Sequence, residues 1–147
     1  MKRLFAIIAA LLVCLSSVQA QVETLKVEGR TYVVAGRVEQ DTYNVRLFLA
    51  PPRNQQAQKQ LSVVFGVNEH GNGYRFDLGP KGWTLSDTAS GRRVATGEAT
   101  PLPAKGELDL LIKRRDWLVT VAANGRVLAQ VADGAYGGGR VAVDPAL

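Results

Sequence analysis

The chain has 147 residues, 46% of them hydrophobic and 21% charged, with a formal net charge of +5. That is enough apolar material for one core, and so mild a positive charge does not indicate a nucleic-acid binder. The one cysteine, Cys14, excludes a disulfide framework.

In chain order, the first twenty residues read as an export signal. Lys2 and Arg3 give a basic start, and "LFAIIAALLVCL" is too short an apolar run to span a bilayer comfortably. Val18-Gln19-Ala20 is the small-residue pattern a signal peptidase accepts before Gln21. A retained membrane anchor is the alternative; a lipoprotein signal would need a small residue where Val13 stands. Cleavage removes residues 1–20 of 147 and leaves 21–147, one domain's length, with no thiol and with Lys2 and Arg3 gone. The expectation is a secreted or periplasmic protein with no membrane insertion after cleavage.

No sustained helical period follows Gln21; short alternating runs between turn residues predict an all-β sandwich or barrel of roughly ten strands. "YNVRLFL" sets Tyr43, Val45, Leu47 and Leu49 on one face and Asn44, Arg46 and Phe48 on the other. "LSVVFGV" from Leu61 is apolar throughout, as a strand covered on both sides would be. Between them "APPRNQQAQKQ" is a polar surface loop, and Pro51-Pro52 ends the preceding strand. "GYRFDL" aligns Tyr74, Phe76 and Leu78, with Arg75 and Asp77 opposite, and "WTLSD" returns after the "GPKG" turn. "ELDLLIK" and "WLVTVAA" are the most regular strands, and Asn124-Gly125 marks a hairpin whose central residues need positive φ. "RVAV" is a last strand after the loop "DGAYGGG".

The ordered pieces Gly73-Tyr74-Arg75-Phe76, Trp83-Thr84-Leu85, Leu108 to Ile112, Val119 to Val127, Asp133 and Gly139-Arg140-Val141 resemble the concanavalin A-like lectin/glucanase jelly rolls. Within them the pattern is closest to the laminin-G-like and 3-keto-disaccharide-hydrolase-like branch of exported bacterial proteins. The resemblance implies a two-sheet antiparallel jelly-roll sandwich over residues 21–147. Such a fold hosts lectins, hydrolases and adhesion modules alike. The family adds a final strand where this chain stops at "VAVDPAL": either the edge is closed differently, or the product is shortened, or the sequence is part of a longer polypeptide. An open apolar edge near Val141 would be an aggregation risk or a pairing site for a partner.

Glucanases of that fold carry Glu-x-Asp-x-x-Glu on one strand, one carboxylate to protonate the leaving group and another to attack. Here Glu107 and Asp109 fill two positions but Ile112 takes the third, so the pattern is incomplete and a non-catalytic reading is preferred. His70 sits among turn formers and lacks companions for a metal site, so no metal or cofactor is expected. The "GGG" run has neither the lysine nor the following helix of a phosphate cradle. The basic clusters Arg92-Arg93 and Lys113-Arg114-Arg115 fall at turns and keep a surface soluble or hold an acidic polymer. Aromatic faces stack on sugar rings, and Trp83 and Trp117, at strand ends, are the stacking candidates. Arg75, Asp77 and Tyr136 complete the candidate ligand-binding residues. The favoured reading is a carbohydrate- or envelope-polymer-binding module. The alternatives are a glycoside hydrolase of the same fold, or an interaction domain that takes a protein partner at a sheet edge.

Overall fold

The computed structural model describes the backbone of residues 3–7 and all atoms of residues 22–49, 61–98 and 108–144. These form twelve strands and, among the described residues, no helix: β1 (Arg3–Ile7), β2 (Thr24–Val27), β3 (Arg30–Val38), β4 (Tyr43–Leu49), β5 (Leu61–Val67), β6 (Tyr74–Gly79), β7 (Gly82–Asp87), β8 (Arg93–Gly97), β9 (Leu108–Arg115), β10 (Leu118–Ala123), β11 (Arg126–Ala132) and β12 (Gly139–Val143). They divide into a five-stranded sheet, β1-β4-β9-β10-β11, and a seven-stranded sheet, β2-β3-β12-β5-β6-β7-β8. Every pairing is antiparallel except β1 on β4. Residues 3–7 thus contribute an edge strand to the five-stranded sheet. Residues 8–21, 50–60, 99–107 and 145–147, which include Cys14, the Pro51-Pro52 loop and Glu107, lie outside the described residues.

Alternation builds the core as the sequence predicts. Tyr43, Val45, Leu47 and Leu49 of β4 point inward with Leu110 and Ile112 of β9 and Val119 and Val121 of β10. They meet Val63, Phe65, Tyr74, Phe76, Leu78, Leu85, Val141 and Val143 of the facing sheet. Full burial of each such side chain stabilises by roughly 1.5–3 kcal/mol, which is how a chain with no disulfide holds two sheets together.

β5 is buried at all seven positions, and the reason is a second cluster. Val64 and Ala142, on the outer side of the seven-stranded sheet, are covered by Leu25, Val27 and Tyr32. The Tyr32 hydroxyl and Ser62 Oγ are hydrogen-bonded at 2.8 Å there. The Glu28-Gly29 turn of this β2–β3 hairpin takes positive φ at both residues and brings the Glu28 carboxylate to Arg75 on β6.

Asn124 (φ 50°) and Gly125 (φ 81°) form the expected tight turn between β10 and β11. Val141 does not lie at an open edge. β12 lies inside the seven-stranded sheet, paired with β3 on one side and β5 on the other. Its pairing partners come from residues 73 to 110 positions earlier in the chain, so no local pattern reveals them.

Candidate functional site

The outer face of the five-stranded sheet carries a groove of about 490 Å³. Alternation alone selects its floor. On β9 the residues between the buried Leu110, Ile112 and Arg114 are Asp109, Leu111, Lys113 and Arg115, and all four line it. β10 adds Leu118, Thr120 and Ala122, β4 adds Arg46, and β11 adds Val127 and Gln130.

Register orders most of these side chains into two neighbouring rows that cross the strands, with Arg115 opposite Leu118 in a further row beside the polar one. One row is polar: Asn44 lies opposite Lys113, Lys113 opposite Thr120, and Thr120 opposite Gln130. The Gln130 amide donates to Thr120 Oγ1 at 3.4 Å. The other row is more apolar: Arg46 lies opposite Leu111, Leu111 opposite Ala122, and Ala122 opposite Val127. Arg46 donates from Nε to Asp109 Oδ1 at 2.8 Å and from Nη2 to Oδ2, a bidentate pair. Its guanidinium carbon also sits 5.2 Å from the centre of the Phe48 ring, which fixes the arm along β4. The hydrogen bonds from Arg46 hold the Asp109 carboxyl below the ordinary carboxylate range.

The residues singled out in the sequence do not converge on one place. Trp117 is 72% exposed, in the turn between the groove residues Arg115 and Leu118. Its carbonyl accepts from Asp133 N–H at 2.8 Å, which ties the turn to the β11–β12 loop. Trp83 is a correction: it is 9% exposed and stacks on Phe76 with ring centres 5.9 Å apart. β8 covers it, and Gly97 leaves the space the indole fills. Arg75 and Asp77 are on the outer side of the other sheet, where Arg75 Nε donates to Asp77 Oδ2 at 2.9 Å and Nη1 reaches Glu28. Arg114, read from the sequence as part of a surface cluster, points inward with 5% exposure, its Nε donating to Asp116 O at 3.1 Å.

Searches on the sequence find no match to a family model and none to a curated protein. Solved structures do match. The chain is similar to a protein of unknown function with a galectin-like fold from Bacillus subtilis, at 13% identity and TM-score 0.61, covering 87% of this chain and 83% of that one. The Caenorhabditis elegans galectin LEC-6 aligns at 13% identity and TM-score 0.59, over 76% and 81% of the two chains. The carbohydrate binding module CBM66 from Bacillus subtilis aligns at 11% identity and TM-score 0.57, over 77% and 71%. The fold is a galectin-like jelly-roll sandwich. That agrees with the concanavalin A-like fold the sequence motifs imply.

One end of this jelly roll is closed by a polar network that includes Tyr136. The Tyr136 hydroxyl donates to Asp87 Oδ1, and its ring meets Tyr74 edge-on at 5.0 Å. The Tyr74 hydroxyl donates to Asp133 Oδ1, and Arg92 Nη2 donates to Asp133 Oδ2 at 2.9 Å. Burial pushes the Asp133 carboxyl up, but the bonds from Tyr74, Arg92 and Ala135 N–H outweigh it and hold the group below its ordinary value. Burial, with Asp87 beside it, raises the Tyr136 phenol to about 12. These groups satisfy one another across two sheets, which is a tie and not a vacancy for a ligand.

The glucanase pattern does not assemble either. Ile112 is fully buried, Asp109 is occupied by Arg46, and Glu107 lies outside the described residues. His70 is exposed in a turn whose amides, at His70 and Asn72, donate to Asn68 Oδ1 at 3.0 and 3.1 Å. Among the described residues no cluster of three or more His, Cys, Asp or Glu could hold a metal. A second cavity of about 470 Å³ lies by the glycine run. Two of its polar groups are already engaged, Asp41 by Gly138 N–H at 2.9 Å and Arg140 by Asn68 O at 3.0 Å.

Apart from Asp109 and the basic-cluster residues Lys113 and Arg115, the groove residues are absent from the sequence-based candidates, although the signal is there. The outward positions of "LDLLIKRR" alternate acid, apolar, base and base, which is unlike a uniformly solvated face.

Proposed function

We propose that this chain is an exported, non-catalytic module that binds a glycan or cell-envelope polymer on the outer face of its five-stranded sheet. The observation that carries the reading is the groove, where a row of Lys113, Thr120 and Gln130 runs beside Leu111 and Ala122. Sugar rings offer that pairing in return: polar hydroxyls around the rim and apolar C–H faces, which also stack on an exposed indole such as Trp117. A carbohydrate binding module and a galectin among the structures of like fold support the same class of ligand.

A second reading rests on β1. Export with loss of residues 1–20 would take β1 away and leave the outer edge of β4 unpaired, open to a strand of another polypeptide. A glycan array probed with the purified protein decides between the two. Binding to a defined set of glycans, weakened about five- to tenfold by Trp117→Ala (a lost stacking contact of ~1–1.5 kcal/mol), is the expected result. Silence across the array, together with a concentration-dependent dimer, would transfer the function to the edge.

A further inference from the structure

We infer that the groove's ligand is an anionic glycan, bound across the strands, with Lys113 and Arg115 holding its negative groups. This rests on the glycan reading above and adds the charge class and the orientation.

Charge bookkeeping within the groove sets the class. Its lining holds three cations, Arg46, Lys113 and Arg115, and one carboxylate, Asp109. Arg46 and Asp109 neutralise each other through two hydrogen bonds. Lys113 and Arg115 then remain, and among the described residues neither has an ion-pair or hydrogen-bond partner. They stand two positions apart on one strand face, so their Cα atoms are roughly 6.6–6.8 Å apart. Two like charges carried side by side on one strand face repel, and an anion between them relieves the repulsion while it accepts the guanidinium fork of Arg115.

The rows set the orientation. A chain lying across β4, β9, β10 and β11 would follow both rows at once. Its ring faces would rest on Leu111 and Ala122, while its hydroxyls and acid groups met Lys113, Thr120 and Gln130. A chain lying along one strand would meet polar and apolar positions in turn and satisfy neither. Four strands about 4.8 Å apart give a track long enough for a short oligosaccharide.

The negative group can be a sugar carboxylate or a phosphodiester, and the two sources separate in the assay. Binding of the purified protein is titrated against oligogalacturonate, a glycerol-phosphate polymer and an uncharged galactan at low and raised salt. One anionic ligand should bind, more weakly as salt rises, while the galactan binds at least tenfold more weakly. Lys113→Gln and Arg115→Gln should each cost about tenfold, as expected for loss of a charged hydrogen bond. Arg115→Lys should keep most of the affinity. Both side chains lie off the core, so an unchanged unfolding midpoint in the variants separates loss of binding from loss of fold. Equal binding of galactan and the acidic ligands, untouched by both glutamine variants, would overturn the anionic inference and leave glycan binding standing. No binding to any of the three would overturn both.

Discussion

Replacing Trp83 by alanine is expected to lower the free energy of unfolding by about 3–5 kcal/mol, the range for large aromatic truncations in cores. The side chain is 9% exposed, stacks on Phe76 at 5.9 Å and fills the space that Gly97 leaves open on β8. A Cβ on Gly97 would stand 2.2 Å from Trp83 Nε1, so nothing nearby can close over the cavity without moving a strand. Stability on this scale is a large part of what a domain possesses, typically about 5–15 kcal/mol in all. Urea unfolding measures the loss. Trp117→Ala is the control, because its indole is 72% exposed and its removal should leave the unfolding midpoint nearly unchanged. A Trp83→Ala variant less than about 1 kcal/mol below wild type would mean that the indole lies outside the core.

Gly139→Ala should be the most damaging conservative change in the glycine run. An added Cβ would meet Val67 O at 2.6 Å and Gly66 C and Val67 N at 2.7 Å, all backbone atoms of β5. No rotamer change relieves a clash with backbone, and β12 is held on both sides, by β3 and β5. The expected cost is at the top of the overpacking range, about 3 kcal/mol, and is read as lost soluble yield and an early urea midpoint. The same substitution at Gly125, where nothing lies within 4 Å, meets no clash and carries only the penalty of its positive φ. Comparable midpoints for the two variants would contradict the β12–β5 pairing.

What could be read from the sequence divides along local and non-local lines. Alternation in Tyr43–Leu49 and Tyr74–Gly79 assigned inward and outward faces correctly, because period two is a property of a single strand. The Asn124-Gly125 turn was equally local. The same rule, followed through β9, places Arg114 inside and Lys113 and Arg115 outside; reading the three as one basic cluster hid that division. Trp83 misled because a position beside a turn suggests exposure, whereas its cover comes from β8, a strand whose pairing no short window reveals. Which alternative holds at Val141 was illegible for the same reason, since its neighbours belong to β3 and β5. The groove needs the lateral register of β4, β9, β10 and β11, residues spread from 43 to 132, and that register exists only in the folded sheet.

Amide chemical-shift mapping during titration with an acidic oligosaccharide tests the binding face most directly. Shifts should concentrate on Arg46, Lys113, Arg115, Thr120 and Gln130, with the Trp117 indole following them and the Trp83 indole silent. Shifts confined to the outer face of β6, β7 and β8 around Arg75 and Asp77, or no shifts at saturating ligand, would contradict it.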